Sequence, residues 1–182
     1  MIITISGKPG SGKSTIADIL AKKFILKRFS VGDFRRELAK QKGMTINELN
    51  ELGEKESFTD EDADNWQINI GKTCDNFIID GRLSYHFIPD SLKIFLDVSL
   101  EIGSERIIKQ KREEENFPDL KTAVKYWHQR VNSDKKRYKK YYNLDPYKLD
   151  NFDFILDSSD LSIEETADKI SEFIKHHHSR NS

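Results

Sequence analysis

The chain has 182 residues, 36% of them hydrophobic, and a formal net charge of −1 although 34% of its residues are charged. That is enough apolar material for one core, and it excludes a globally basic nucleic-acid binder. The single cysteine, Cys74, excludes an internal disulfide, no apolar run approaches the ~20 residues a membrane span needs, and no basic-then-apolar export signal opens the chain, so a single-domain cytoplasmic monomer is expected.

The first fifteen residues, MIITISGKPGSGKST, organise the rest. An apolar β-branched run at 2–5 reads as a strand, and Ile16, Ala17, Ile19 and Leu20 have helical spacing. Between them lies G-x-x-x-x-G-K-[ST], whose strand–loop–helix setting marks a phosphate-binding loop. Glycines at Gly7, Gly10 and Gly12 let the backbone of Lys8, Pro9, Ser11, Lys13, Ser14 and Thr15 wrap phosphate oxygens at a positive helix end. Lys13 then reaches the β- and γ-phosphates, and Ser14 a Mg²⁺ ion.

Residues 24–29 read as a second strand, with Ser30, Val31 and Gly32 turning out of it. A helix follows in GDFRRELAKQKG, with Phe34, Leu38 and Ala39 on its apolar face and Gly43 as its stop. Thr45, three residues before Glu48, opens another through a capping box, with Ile46, Leu49 and Leu52 inward. Residues 54–66 are acidic and almost coreless, which predicts a solvated helix over 60–70 that turns only Trp66 and Ile70 inward. Residues 32–73 thus read as a mobile arm.

Apolar runs at 77–79, ending in Asp80-Gly81-Arg82, and at 94–98 do not alternate, as expected of parallel strands covered on both faces. A helix from Leu100 buries Ile102, Ile107 and Ile108. A charged loop at 113–119 leads to a long helix over 120–141, in which Lys135, Lys136, Lys139 and Lys140 form a solvated face and Tyr138, Tyr141 and Tyr142 serve packing. A last strand at 152–156 and a helix at 163–174 close the chain, and His176, His177 and His178 read as a frayed or added tail rather than a metal site. Alternating strands and helices give an α/β fold with a five-stranded parallel sheet, and ligands belong beyond the strands' carboxyl ends.

D-x-x-G and N-K-x-D are both missing from the sequence, which disfavours a guanine-nucleotide switch. Arginines stand instead near the strand ends: Arg36, Arg82, Arg106, Arg112, Arg130 and Arg137. Their forked donors match phosphate oxygens. Arg35 and Arg36 are adjacent, so at most one is expected at the site. An acceptor that is itself a phosphate monoester, with a second pKa of about 6, is already ionised and needs no general base. Positioning and charge neutralisation then suffice. Asp80 is placed near Mg²⁺ through water.

These residues resemble the cytidylate kinases of the nucleoside-monophosphate kinase group, closest to the compact archaeal-type members. The marks are GKPGSGKST, GDFRRELA, IIDGR, PDSLKIFLDV, ILDSSDLSIEE and R-x-x-x-D-x-x-R at Arg130, Asp134 and Arg137. The resemblance implies a three-layer α/β/α P-loop kinase that uses Mg²⁺ to transfer the γ-phosphate of ATP to CMP, with dCMP as a second acceptor. It implies acceptor binding by Gly32, Asp33, Arg36, Arg82, Arg130, Asp134 and Arg137, with Lys13, Arg82, Arg106, Arg130 and Arg137 assisting transfer. Arg106 and Arg112 would bind ATP from a lid at about 109–128. Bacterial members carry aspartate after G-R to recognise cytosine, where this chain has Leu83. Two alternatives stay open. One is a kinase for AMP or a small metabolite hydroxyl, for which Asp33 and Asp80 are the candidate bases. The other is a non-catalytic nucleotide-binding or RNA-associated protein using the basic helix at 130–142.

Overall fold

A computed structural model describes residues 1–110 and 117–181. Five strands, β1 (Ile2–Gly7), β2 (Lys27–Ser30), β3 (Phe77–Asp80), β4 (Leu92–Asp97) and β5 (Phe154–Asp157), form one parallel sheet in the order β2-β3-β1-β4-β5. The helices are α1 (Lys13–Phe24), α2 (Val31–Gln41), α3 (Ile46–Lys55), α4 (Phe58–Thr73), the single turn α5 (Ser84–Phe87), α6 (Leu100–Lys109), α7 (Leu120–Tyr142) and α8 (Ile163–Asn181). The expected α/β fold and strand count are present.

The sheet's two faces explain the unbroken apolar runs. Ile3, Ile5, Ile78, Ile94 and Leu96 pack under α1 and α8 against Ile16, Leu20, Ile170 and Ile174. Phe77 and Ile79 point the other way, towards Ile70 of α4 and Ile88. Each such fully buried side chain stabilises the fold by roughly 1.5–3 kcal/mol. Register then brings function to one edge: Ile5 pairs with Asp80 and Ser30 with Asp80, so β1, β2 and β3 end side by side.

Several boundaries differ from expectation. Phe24 stays in α1, which ends with Ile25 in the left-handed region (φ 55°), so β2 starts at Lys27. Ser30 and Val31 do not form a turn, because the Ser30 hydroxyl accepts from the Asp33 N–H and caps α2 directly. The Thr45–Glu48 capping box is present. The helix α8 continues through the three histidines, which are therefore not a frayed tail.

The largest difference is α4. Two of its four acidic residues are turned inward in a polar stripe: Glu61 and Asp62 stay exposed, while Thr59, Asp60, Asp64 and Gln67 are all buried. These positions recur at helical spacing and form a polar stripe, which lies towards α2, α3 and α7 instead of solvent. Asp64 accepts a hydrogen bond from Tyr142 and one of 3.1 Å from Gln67 Nε2, and Gln67 Oε1 accepts from Ser84 at 2.7 Å.

Burial pushes the Asp64 carboxyl up to about 7, with Asp60 nearby adding to the effect. A carboxyl whose folded pKa lies above its unfolded value of about 3.9 holds a proton that the unfolded chain has released, so it costs stability as pH rises towards 7. The expected outcome is that Asp64→Asn, compared with wild type by thermal unfolding, gains relative stability between pH 5 and pH 8. A difference in Tm that does not change with pH would reject this account.

Candidate active site

At the carboxyl end of β1 the chain can turn only through glycine. Gly7 has φ 150°, and a Cβ there would stand 2.1 Å from the Leu96 carbonyl oxygen. Gly10, at φ 74°, faces Gly103 of α6, whose carbonyl oxygen would lie 2.1 Å from an added Cβ. The loop is thus pressed between β4 and α6, and Trp127 of α7 donates to the Pro9 carbonyl at 3.1 Å from above. Lys8 pairs with Asp97 at 2.6 Å, away from the loop's interior. Gly12 precedes α1 with no side-chain cap, and nothing lies within 4 Å of its missing Cβ. Uncapped first-turn N–H groups at a positive helix end are a ready anion site.

Lys13 donates to the Lys8 carbonyl at 2.8 Å and to Ser11 Oγ at 3.4 Å, both neutral acceptors. Burial, with Arg82 and Arg130 next, pushes its ammonium well below the ordinary lysine value, although Asp80 and Asp134 act the other way. An arriving anion relieves that strain on the charge.

Asp80, at the end of β3, accepts from Ser14 Oγ at 2.9 Å and Ser30 Oγ at 3.3 Å and pairs with Arg28 at 3.2 Å. Burial raises its pKa, partly offset by Arg28 and Ser14. Among the described residues no cluster of three His, Cys, Asp or Glu side chains could hold a metal alone. A Mg²⁺ ion that keeps its waters and draws on substrate phosphates needs only one or two protein oxygens, and the Ser14 hydroxyl and Asp80 carboxylate fit that requirement.

A cavity opens beside the loop, and the basic residues gather in its wall: Lys13, Arg35, Arg36, Arg82, Arg130 and Arg137, with Gly32, Asp80 and Asp134 among them. A chain of bonds fixes three of the arginines. Arg82 reaches the Gly7 carbonyl through Nη1 (2.9 Å) and Asp134 Oδ2 through Nε (2.8 Å). Arg137 spans Asp134 Oδ1 (2.9 Å) and Asp60 Oδ1 (2.5 Å). Arg35 donates to the same Asp60 oxygen at 2.6 Å, to the Thr59 carbonyl at 3.0 Å and to Asn50 Oδ1 at 3.1 Å. Tyr147 adds a hydroxyl bond of 2.8 Å to Asp134. Burial alone would raise Asp134, but Arg82, Arg137 and Arg130 outweigh it and hold the carboxyl well below its usual range. Burial and the same carboxylate push Tyr147 far up.

Not every expected residue is placed as anticipated. Arg35 and Arg36 both border the cavity, because Arg35 bends inward to Asp60 while Arg36 pairs with Asp33 at 2.5 Å. Asp33 itself is held between Arg28 and Arg36 and faces a neighbouring groove with Glu37 and Lys40. Arg106 does not meet the other arginines. Its guanidinium donates to Ser158 Oγ at 3.0 Å and to the carbonyls of Ser158 (2.7 Å) and Leu161 (3.2 Å). There it borders a second pocket, formed by Gly10, Gly12, Thr15 and Ile16 with the chain between Ser158 and Thr166. Arg112 and part of the expected lid lie outside the described residues. Asn50, Asp60, Trp127 and Tyr147 are additions that the sequence patterns did not point to; the helical recurrence of Asp60, Asp64 and Gln67 is the one signal that could have found the acidic partner.

The description of the family model that matches residues 2–160 is "Cytidylate kinase-like family". A protein of Methanocaldococcus jannaschii named cytidylate kinase is 38% identical over 170 residues, covering 90% of this chain and 92% of that protein. One of Methanocella arvoryzae with the same name is 36% identical over 159 residues, covering 87% and 88%. A shikimate kinase structure from Bacteroides thetaiotaomicron, 16% identical, superposes with a TM-score of 0.67 over 96% of this chain and 98% of that one, and shares its fold. The chain belongs to the cytidylate kinase-like family.

Removing one partner of a buried ion-pair network strands the others and costs about 3–5 kcal/mol. Asp134→Ala is expected to lose that much in urea unfolding, whereas Tyr147→Phe, which leaves both ion pairs intact, loses about 1 kcal/mol. Equal losses for the two variants would show that Asp134 is not the hub of the network.

Proposed function

We propose that this member of the family transfers the γ-phosphoryl group of ATP to CMP, and to dCMP, with Mg²⁺ as cofactor. The observation that carries this reading is the position of the phosphate loop between two pockets that share Gly10, Gly12 and Gln110, one lined by five arginines and the other by Arg106 alone. A donor nucleotide in the Ser158–Thr166 pocket and an anionic acceptor in the other would meet at Lys13. The names of the relatives supply the acceptor.

On this reading an oxygen of the CMP phosphate attacks the γ-phosphorus and the bond to ADP breaks. The acceptor oxygen is already ionised, so the chain's work is to align two polyanions and neutralise the charge that spreads over the transferred group. Lys13 and the uncapped turn of α1 hold the donor phosphates, with Gly7 to Thr15 wrapped around them. Arg82 and Arg130 face the transferred group, and Arg36 with Gly32 grips the acceptor phosphate. Arg137 and Asp134 line the acceptor side. Arg106 orders the wall of the donor pocket. Mg²⁺ when bound neutralises phosphate charge; Ser14 would hold it directly and Asp80 through water. No described helix is long and apolar enough to cross a membrane.

A metabolite hydroxyl would instead require a general base. Asp33 is a poor one: burial raises its carboxyl, but bonds from Arg28 and Arg36 outweigh that and hold it low. Asp80 is turned to Ser14.

The test is ADP release with ATP and Mg²⁺ against CMP, dCMP, UMP, AMP and GMP. Turnover with CMP and dCMP ahead of the others is expected, and Lys13→Ala should lower kcat by about 10²–10³, the usual cost of one donor to a developing charge. Asp33→Asn should cost no more than about tenfold, against the 10²–10⁴ contributed by a general base. A preference for AMP, or silence with all five, would overturn the acceptor assigned here.

A further inference from the structure

Leu83 stands where the bacterial pattern has its base-reading aspartate, and it does not reach the acceptor cavity. It is buried against Tyr85 and Tyr138. Any reading of the acceptor's base must come from other groups. The phosphate-binding cations mark one end of the cavity. Arg35 of α2 and Ile46 and Asn50 of α3 also line it; Arg35 is separated from the Gly7 carbonyl by the chain through Asp60, Arg137, Asp134 and Arg82, and α3 packs on α2, α4 and α7. A monophosphate with its phosphate near Lys13 has its base among these residues.

Asn50 is the uncharged amide in that wall, and its orientation is decided by its neighbour. Arg35 Nη2 donates to Asn50 Oδ1 at 3.1 Å. A guanidinium has donors only, so the amide oxygen must face Arg35 and the amide NH₂ must face elsewhere. Arg35 cannot rotate to release it, being only 7% exposed and pinned by Asp60 and the Thr59 carbonyl. The group Asn50 can present to the cavity is therefore a donor, beside a second donor set on Arg35.

We infer that Asn50, oriented by Arg35, is the residue that selects cytosine over uracil in the acceptor site. Cytosine offers two acceptors in a row, O2 and N3, and both are satisfied by a donor wall. Uracil carries a hydrogen on N3, so the same wall meets it donor against donor. Sites that discriminate through a hydrogen bond reject the mismatched ligand far more strongly than apolar pockets do, because a buried polar group is left unpaired. Ile46 supplies an apolar flank for the ring. The inference rests on the CMP reading proposed above, and adds the residue and the atom that carry its specificity.

The decisive probe uses the unaltered protein with 3-deaza-CMP, which has C–H in place of the N3 acceptor. Its kcat/KM is expected to fall at least tenfold below that of CMP, with KM for ATP unchanged. Asn50→Asp, which replaces the donor by acceptors, should lower the CMP-to-UMP ratio of kcat/KM at least tenfold, and Asn50→Ala should lower it as well. If 3-deaza-CMP matches CMP within twofold, the inference is wrong while the CMP reading stands, and a folded Asn50 variant that keeps the wild-type ratio overturns it equally. If the unaltered protein prefers a purine monophosphate to CMP, the CMP reading fails and takes this inference with it.

Discussion

Two buried aspartates hold the acceptor side of the molecule together. Asp134 takes Arg82 and Arg137, and Asp60 takes Arg137 and Arg35, so one continuous chain of charge-assisted bonds links α2, α4, α7 and the turn after β3 to the carbonyl of Gly7. Three arginines against two aspartates leave positive charge in excess, with Lys13 beside it bonded to neutral oxygens. None of the arginines can shed its proton at working pH. The site is built to be completed by an anion, and the electrostatic cost of assembling it is met during folding rather than at the moment of transfer.

Such a network is a poor way to gain stability alone. Burying an ion pair often does no better than an apolar pair of the same shape, and here α4 gives up half of its six buried positions to Asp60, Asp64 and Gln67. What the arrangement supplies is direction. Each guanidinium has at least two fixed contacts, so its remaining donors point one way. The same logic runs through the second pocket, where Arg106 orders three backbone carbonyls in the stretch between β5 and α8.

The sheet was legible because parallel strands covered on both faces leave an unmistakable record: Ile2 to Ile5, Phe77 to Ile79 and Ile94 to Val98 need no partner to be recognised. The phosphate loop was legible because its glycines answer to local backbone demands. The arm was not, and the reason is physical. Composition equates acidic with solvated, but a carboxylate is drawn inward wherever an arginine waits for it, and Arg35 and Arg137 are distant in sequence from Asp60. Adjacent Arg35 and Arg36 misled in the same way, since helical neighbours point about 100° apart and a cavity that wraps a helix end can receive both. Asn50 carried no signal at all; only its bond to Arg35 gives its amide a direction.

The meeting of Gly10 with Gly103 has a consequence for how this chain can change over time. Two backbones touch there with no side chain between them, one in the phosphate loop and one in α6. A methyl group at Gly10 would stand 2.1 Å from the Gly103 carbonyl oxygen, where no rotamer can give way, and one at Gly103 would stand 2.9 Å from the Pro9 carbonyl oxygen and 3.0 Å from Trp127 Nε1. Tolerance at position 103 is thus set jointly by Trp127 and by a loop more than ninety residues earlier in the chain. Variation in α6 is confined to its other faces, and a lineage that wished to re-angle that helix would have to rebuild the loop in the same step.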